Sequence, residues 1–172
     1  EDGRQDLVPM AKEHNALLFA NASGNAGMPQ NGEERVANLV TCMEMMDKDG
    51  IEMEDRFLDP LVFPIGAGPE FGGHYLDAVR ELRKMYPDVH IFGGHSNVSF
   101  GLPNRKLINE VFVSLSIVAG CDAMMIDPVM NEVSGLTSFK YAAEALLGID
   151  EYSMKYLKFI RGADTTKRAR RK

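Results

Sequence analysis

The chain has 172 residues, of which 45% are hydrophobic and 26% charged, a composition typical of a globular domain with a substantial core. Its net charge is −6, and because five of the last six residues are basic, the rest of the chain carries −11. Such an acidic body argues against nucleic acid as a partner, since phosphate binding needs a basic face. No apolar run approaches the ~20 residues that span a bilayer, and no secretion signal opens the chain. We therefore expect a cytoplasmic protein without a membrane segment.

Strand and helix patterns alternate along the chain. Apolar runs predict strands at 16–20, 56–63, 89–92 and 123–126. Apolar residues at helical spacing predict an opening helix at 6–14, helices between the strands at 33–48, 76–85 and 107–118, and two final helices near 138–147 and 151–160. Asn104 is expected to cap the helix at 107–118. The buried stripe of that helix is predicted to comprise Leu107, Ile108, Val111, Phe112, Leu115 and Val118. One helix per gap indicates about four parallel strands in an α/β fold.

Two architectures accommodate these units, an open doubly wound sheet and part of a closed (β/α)8 TIM barrel. Polar groups follow the apolar runs that end at 20, 58, 92 and 126: Asn21, Asp59, Ser96 with Asn97, and Asp127. The C-terminal strand ends of a barrel all face one mouth, whereas an open sheet concentrates its site at one switch point. We therefore favour the barrel. Because a full barrel has eight strands in ~250 residues, we expect half a barrel at 1–162 that starts in mid-domain, followed by a basic tail at 163–172.

The densest group of candidate functional residues lies between the third strand and the next helix. Gly94 lets the backbone approach a flat ligand, Ser96 and Asn97 offer donors and acceptors, and Arg105 adds a permanent charge. The alternative is an ordinary turn before a well-capped helix. The sequence alone leaves both interpretations open.

Two aspartates follow strands and precede prolines, which holds their backbone extended. Asp59 could accept paired hydrogen bonds from an amide and a neighbouring amino group, as a pterin or guanine ring presents them. Asp127 repeats the arrangement and is a second candidate. The alternative for both is a turn or capping role.

Histidine and cysteine spacing gives no indication of a metal site. The four histidines have no ligand spacing such as an i, i+4 pair, and only His95 lies in a candidate site, where a pocket wall or a hydrogen-bond donor is the expected role. Cys42 and Cys121 match no metal or redox motif, so we expect buried reduced thiols.

The segments 58–65 (LDPLVFPI) and 94–122, which begins GHSNVSFGLPNR, resemble the pterin-binding family. This family includes the folate domain of cobalamin-dependent methionine synthase, the methyltetrahydrofolate:corrinoid protein methyltransferases and dihydropteroate synthase. Dihydropteroate synthases typically carry Ser-Arg-Lys-Ser in the loop where this chain has Asn97 and Val98. The resemblance therefore favours the methyltransferase branch, with dihydropteroate synthase as the alternative.

The resemblance implies a function and a site. The function is transfer of a methyl group between methyltetrahydrofolate and the cobalt of a corrinoid, or cobalamin, carried by a partner protein. Asn97 would be catalytic, with a hydrogen bond near the methyl-bearing ring nitrogen. The pterin would be bound by Asp59, Gly94, Ser96, Asn97, Arg105 and Asp127.

The family pattern also has pterin-binding residues on strands three and four, which this chain lacks. The chain would then correspond to strands five to eight, the C-terminal half of the barrel. We expect a homodimer or a second chain that completes the barrel, with a non-catalytic half-barrel as the alternative. The inner face, which leaves an open sheet edge and apolar surface, is expected to include Leu17, Phe19, Leu58, Phe92 and Met125.

Overall fold

The computed structural model describes residues 4–129 and 133–169, and the chain divides into two compact units after Asp127. The first unit contains helices α1 Leu7–Glu13, α2 Gly32–Lys48, α3 Phe71–Met85 and α4 Arg105–Ala119, and strands β1 Leu18–Asn21, β2 Arg56–Asp59 and β3 His90–Ile91. The second unit contains helices α5 Val133–Leu146 and α6 Met154–Ala169. Strands and helices alternate through the first unit, as the sequence predicts.

The three strands form one parallel sheet in the order β1-β2-β3. Phe19 of β1 lies opposite Phe57 of β2, and Asn21 lies opposite Asp59 at the ends of these strands. Phe57 lies in turn opposite His90 of β3. The predicted α/β class with parallel strands is confirmed.

The prediction of a fourth full strand at 123–126 is wrong. Within the described residues, this segment forms a single parallel bridge, between Gly94 and Met125. It follows the edge of β3, because the backbone N–H of Ala123 donates to the Ile91 carbonyl at 3.1 Å. The Ile91 N–H, however, donates to the Asp122 side chain, Oδ1, at 2.7 Å. In a regular ladder, a backbone carbonyl of the neighbouring strand would accept this hydrogen bond. Here the side-chain carboxylate of Asp122 accepts it instead.

Helices α2 and α3 cover one face of the sheet. Leu58 and Ile91 are fully buried there, in one core with Leu39 of α2 and Leu82 of α3. Helix α2 begins after Asn31, whose side chain accepts a hydrogen bond from the Glu34 N–H at 2.8 Å and caps the helix. The buried position of Leu58 corrects its predicted place on the inner face, since side chains alternate along β2 and Phe57 takes the opposite face.

The opposite face of the sheet is open. Phe19 is 51% exposed, and its ring stacks on Phe57 at 4.4 Å between centroids. Phe57 stacks on His90 at 4.6 Å, and Phe92 contacts Phe19 edge-on at 5.1 Å. We call these four rings the aromatic row. The row leaves apolar surface in water on the side of the sheet away from α2 and α3.

Helix α4 departs from the prediction in its orientation. The prediction is correct for Phe112, which is buried, but wrong for Leu107, Val111, Leu115 and Val118, which are all at least 44% exposed. The buried positions of α4 instead include the polar residues Asn109 and Ser116. Asn104 occupies the N-cap position with a left-handed backbone, but its side chain makes no capping hydrogen bond, which also differs from the prediction.

In the second unit a 3-10 helix, Glu151–Ser153, precedes α6. Helices α5 and α6 contact each other through Tyr141 and Phe159, with ring centroids 4.8 Å apart. Asp150 caps α6, because its carboxylate accepts hydrogen bonds from the N–H groups of Lys155 and Tyr156 at 3.0 and 2.9 Å. Helix α6 extends to Ala169, while 170–172 of the expected tail lie outside the described residues. In the described part of the chain, no helix is both long and apolar enough to cross a membrane.

Candidate functional site

Polar residues meet at the C-terminal edge of the sheet. Asn21 ends β1 and Asp59 ends β2, directly opposite each other in the register. Side chains two residues apart share a face, so both lie on the open face, above Phe19 and Phe57. Gly94 follows β3 at the same edge and pairs with Met125. Parallel strands place all these residues at one edge because their C-terminal ends coincide.

Asp59 is half-buried and is oriented by its own turn. Its Oδ1 accepts a hydrogen bond from the Leu61 N–H at 2.8 Å, and Oδ2 has no hydrogen-bond partner among the described residues. Burial raises the pKa of the Asp59 carboxyl, and the Leu61 hydrogen bond opposes that rise. Leu61 itself has φ of 66°, a left-handed conformation that is rare for leucine. Such strain persists where the surroundings enforce it, which is common at functional sites.

The loop that carries Asn97 is a 3-10 helix, His95–Ser99. The Asn97 side chain is exposed, while its backbone N–H donates to the Gly94 carbonyl at 3.1 Å. A Cβ on Gly94 would lie 3.2 Å from the Asn97 side-chain nitrogen, so any other residue would require the amide to shift by a few tenths of an ångström. The Val98 carbonyl accepts from the Ile65 N–H at 3.0 Å, which joins this loop to the one after β2.

A buried polar cluster supports the loop from below. We call His95, Tyr75 and Cys121 the supporting cluster. The His95 Nδ1 donates to the Gly93 carbonyl at 2.9 Å, since a carbonyl can only accept, and the ring lies against Tyr75. Burial lowers the pKa of His95 to about 4, so the imidazole is neutral at neutral pH. The Tyr75 hydroxyl donates to the Phe92 carbonyl at 3.3 Å.

Cys121 completes this cluster. Its thiol lies 3.2 Å from the Ile91 carbonyl and 3.6 Å from the Tyr75 hydroxyl. Burial raises the pKa of Cys121 to about 11, which keeps it a thiol. Both cysteines are free, with Cys121 buried and Cys42 partly buried. The cluster therefore holds the end of β3 and the segment after α4 together without a charged group.

Arg105 contacts the loop in the structure. Its Nη2 donates to the Ser96 carbonyl at 2.7 Å and its Nε to the Ser99 hydroxyl at 3.0 Å. The Ser99 hydroxyl donates onward to the Asn109 side chain at 2.7 Å. These bonds fix the backbone around Asn97. The contact between Arg105 and a pterin that the resemblance implies stays a prediction, as does the role of Ser96.

The other candidate residues are less enclosed. Asp127 is exposed and lies two residues after the bridge at Met125. The role of Asp127 in pterin binding stays a prediction. Among residues 4–129 and 133–169, no group of three or more histidine, cysteine, aspartate or glutamate side chains could hold a metal ion.

Asn21 belongs to this edge although the sequence did not single it out as a ligand. Its position after an apolar strand was the available signal. Its place beside Asp59 depends on the strand register, which the sequence does not reveal.

Curated relatives support this picture, whereas no family model matches the chain. Over 144 residues, or 84% of the chain, it is 34% identical to the methylcorrinoid:tetrahydrofolate methyltransferase of Eubacterium limosum. It is 31% identical to methionine synthase of Mycobacterium tuberculosis and 33% identical to that of Mycobacterium leprae, each over 69% of the chain. The aligned residues make up 52% of the first relative and 11% and 10% of the other two. The chain thus spans about half the length of the first and far less of the others.

The fold and these matches together define the class of protein: an α/β chain with a parallel sheet whose relatives are methyltransferases. More narrowly, the chain is a relative of methylcorrinoid:tetrahydrofolate methyltransferase and of methionine synthase. The predicted relation to the methyltetrahydrofolate:corrinoid protein methyltransferases is confirmed.

Proposed function

We propose that the chain supplies the pterin-binding edge of an enzyme that moves a methyl group between methyltetrahydrofolate and the cobalt of a corrinoid protein. The observation that carries the proposal is the shared edge of Asp59 and the Asn97 loop, in a chain related to a methylcorrinoid:tetrahydrofolate methyltransferase. Tetrahydrofolate and its methylated form are substrates. The corrinoid arrives on a separate protein.

Asp59 would hold the pyrimidine ring of the pterin. Its ionised carboxylate can accept one hydrogen bond from the ring N3–H and one from the 2-amino group, and Oδ2 is available for this. Binding would require the carboxylate form. Since burial raises the pKa of Asp59, affinity should start to fall at a higher pH than for an ordinary carboxyl as the solution is acidified.

Asn97 would act at N5, the methyl-bearing nitrogen. When the N5–CH3 bond breaks, its electron pair stays on N5, which finally takes a proton from solvent. An amide N–H that strengthens its hydrogen bond as this charge develops lowers the barrier. The bound corrinoid supplies the nucleophile in one direction and the methyl donor in the other. Gly94, Ser96 and Arg105 would hold Asn97 in position through the loop contacts described above, and Asp127 would lie at the rim.

The proposed architecture is half of a (β/α)8 barrel. The parallel strands have helices on one face, as the strands of a barrel do on its outside. The aromatic row on the other face corresponds to the barrel interior, and the remaining strands of a barrel would cover it. On this proposal residues 1–162 form strands five to eight with their helices, the last strand reduced to the bridge at Met125. Residues 163–169, the first part of the predicted basic tail, continue helix α6. A second chain, or a second copy in a homodimer, would cover the open face.

An inert half-barrel is the competing possibility, favoured by the open face of the sheet, where Phe19 is 51% exposed. The two are separated by activity in a complemented preparation, in which the chain is mixed with the remaining part of the Eubacterium limosum relative. Methyl transfer from methyltetrahydrofolate to reduced cobalamin is followed by the change in cobalamin absorbance.

The sharpest test of mechanism is Asn97→Ala in this preparation. The loss of one transition-state hydrogen bond should reduce kcat by ~100- to 1,000-fold, with a much smaller loss of pterin affinity. Lys106→Ala is the control, since this exposed side chain pairs with Glu110 of α4 and, within the described residues, with no other charged group; it should leave kcat unchanged. Equal losses of affinity and kcat in the Asn97 variant would reduce Asn97 to a binding residue and contradict the mechanism.

A further inference from the structure

Asn21 presents a hydrogen-bond donor beside the acceptor of Asp59. The two residues are direct neighbours in the register, so their Cα atoms lie ~4.8 Å apart, the spacing of adjacent strands. Both side chains lie on the open face at the edge where the strands end. Asn21 is exposed, so its side chain is accessible to a small molecule at that edge.

The orientation of the Asn21 amide is fixed by its own turn. Its side-chain oxygen accepts a hydrogen bond from the Ser23 N–H at 3.0 Å, and only oxygen can accept there. The Nδ2 group is therefore the outward end of the amide. It has no hydrogen-bond partner among the described residues. The edge thus offers, side by side, the Asp59 acceptors and one oriented donor.

This pattern complements one edge of a pterin. The N3–H and the 2-amino group donate hydrogen bonds to a carboxylate. O4 flanks this pair of donors on one side and N1 on the other. Both flanking atoms are acceptors, so a donor next to the carboxylate fits whichever way the ring lies. We propose that Asn21 is a specificity-determining pterin ligand, which donates from Nδ2 to O4 or N1 while Asp59 binds the adjacent donors. This inference rests on the proposed function, because it assumes that a pterin binds Asp59.

The test is tetrahydrofolate binding by calorimetry in the complemented preparation. Asn21→Ala should weaken binding by about 3- to 10-fold, the effect of one net hydrogen bond. Asn21→Asp places an acceptor opposite an acceptor and should weaken it on the order of 30-fold. Gln30→Ala is the control, since the exposed Gln30 side chain of the same loop donates to the Met28 carbonyl and to no other group among the described residues. The Gln30→Ala variant keeps the backbone bond to Glu34 and should bind tetrahydrofolate as the wild type does.

The outcomes distinguish this inference from the function on which it rests. No binding by the wild type would overturn both. Wild-type binding that Asp59→Ala abolishes, but that both Asn21 variants retain within 2-fold, would overturn the role of Asn21 alone.

Ring analogues that lack O4 or N1 give a second readout, whose first part uses the wild type alone. One of the two should bind the wild type less tightly, by about the same 3- to 10-fold. Asn21→Ala should then weaken that analogue no further, since the bond is already absent. If Asn21→Ala weakened the binding of both analogues equally, Asn21 would affect binding without contacting the ring. That result would overturn the proposal.

Discussion

His95 should make the stability of the protein strongly dependent on pH. Its pKa is about 4 in the folded chain, where it is buried against Tyr75 and Phe112, and 6.5 is the ordinary value for an unfolded chain. The unfolded state therefore binds more protons between these values, so stability is fully present above pH 6.5 and is lost as the pH falls toward 4. A difference of 2.5 pKa units corresponds to about 3 kcal/mol in total, of which about 2 kcal/mol is lost at pH 5.

The assay is urea unfolding followed by circular dichroism, at low protein concentration, from pH 7.5 to 4.5. Other groups titrate in this range, and Asp59 acts in the opposite direction because burial raises its pKa. The informative quantity is thus the difference between the wild type and His95→Gln, whose amide does not titrate. This variant should lose less stability on acidification by about 2 kcal/mol at pH 5.

His14→Gln is the matched control for the loss of a histidine, because the His14 side chain is exposed and lies outside the buried cluster. An identical acid slope in the wild type and in His95→Gln would refute the reasoning, since His95 would then not be buried in its neutral form. The same protonation would keep the bond from Nδ1 to the Gly93 carbonyl but place a charge at Nε2, beside the Cys121 thiol in the buried cluster that supports the Asn97 loop. We therefore expect catalytic activity to fall in the same pH window.

Two further predictions concern the binding edge and the open face. Asp59→Asn replaces an acceptor with a donor and should weaken tetrahydrofolate binding by ~1.5–3 kcal/mol in calorimetry; unchanged affinity would remove Asp59 from the site. The isolated chain should bind a hydrophobic dye and sediment as an oligomer, because Phe19 and Met125 are 51% and 66% exposed. Phe19→Ser should lower the dye fluorescence, whereas a monodisperse wild-type monomer that binds no dye would contradict the open-face description.

Much of the layout was predictable because apolar runs and helical spacing are local signals. The strands at β1, β2 and β3 lie within or beside the predicted runs, and every predicted helix is present. The segment at 123–126 has an equally apolar sequence. It forms only a bridge because the Asp122 carboxylate binds the Ile91 N–H, a tertiary contact that periodicity cannot reveal.

The assignment of side chains to faces was less predictable. Leu58 and Phe57 are both apolar, and only the register determines that Leu58 faces the helices and Phe57 the open face. In α4, apolar residues surround most of the helix, so hydrophobicity alone does not select the buried side. Ser116 and Asn109 are buried there because they have hydrogen-bond partners, the Phe112 carbonyl and the Ser99 hydroxyl.

Some candidate site residues have a local sequence signature, whereas the surroundings of others depend on tertiary packing. Asp59 and the Asn97 loop were predicted because each has a local signature, a strand end before proline and a glycine-rich turn. The contact of Arg105 with a ligand stays a prediction. Its hydrogen bonds to Ser96 and Ser99 were not predicted, because they depend on how α4 packs. Asn21 acquires its neighbour Asp59 only through strand pairing.

The most direct test of the central claim is methyl transfer in the complemented preparation. Reduced cobalamin and methyltetrahydrofolate are mixed with the chain and the remaining part of the Eubacterium limosum relative, and cobalamin absorbance is followed with either component omitted in turn. The account predicts methylation that requires both polypeptides and falls ~100- to 1,000-fold in Asn97→Ala. A co-sedimenting complex that binds tetrahydrofolate but never methylates cobalamin, or an Asn97→Ala variant with wild-type kcat, would contradict it.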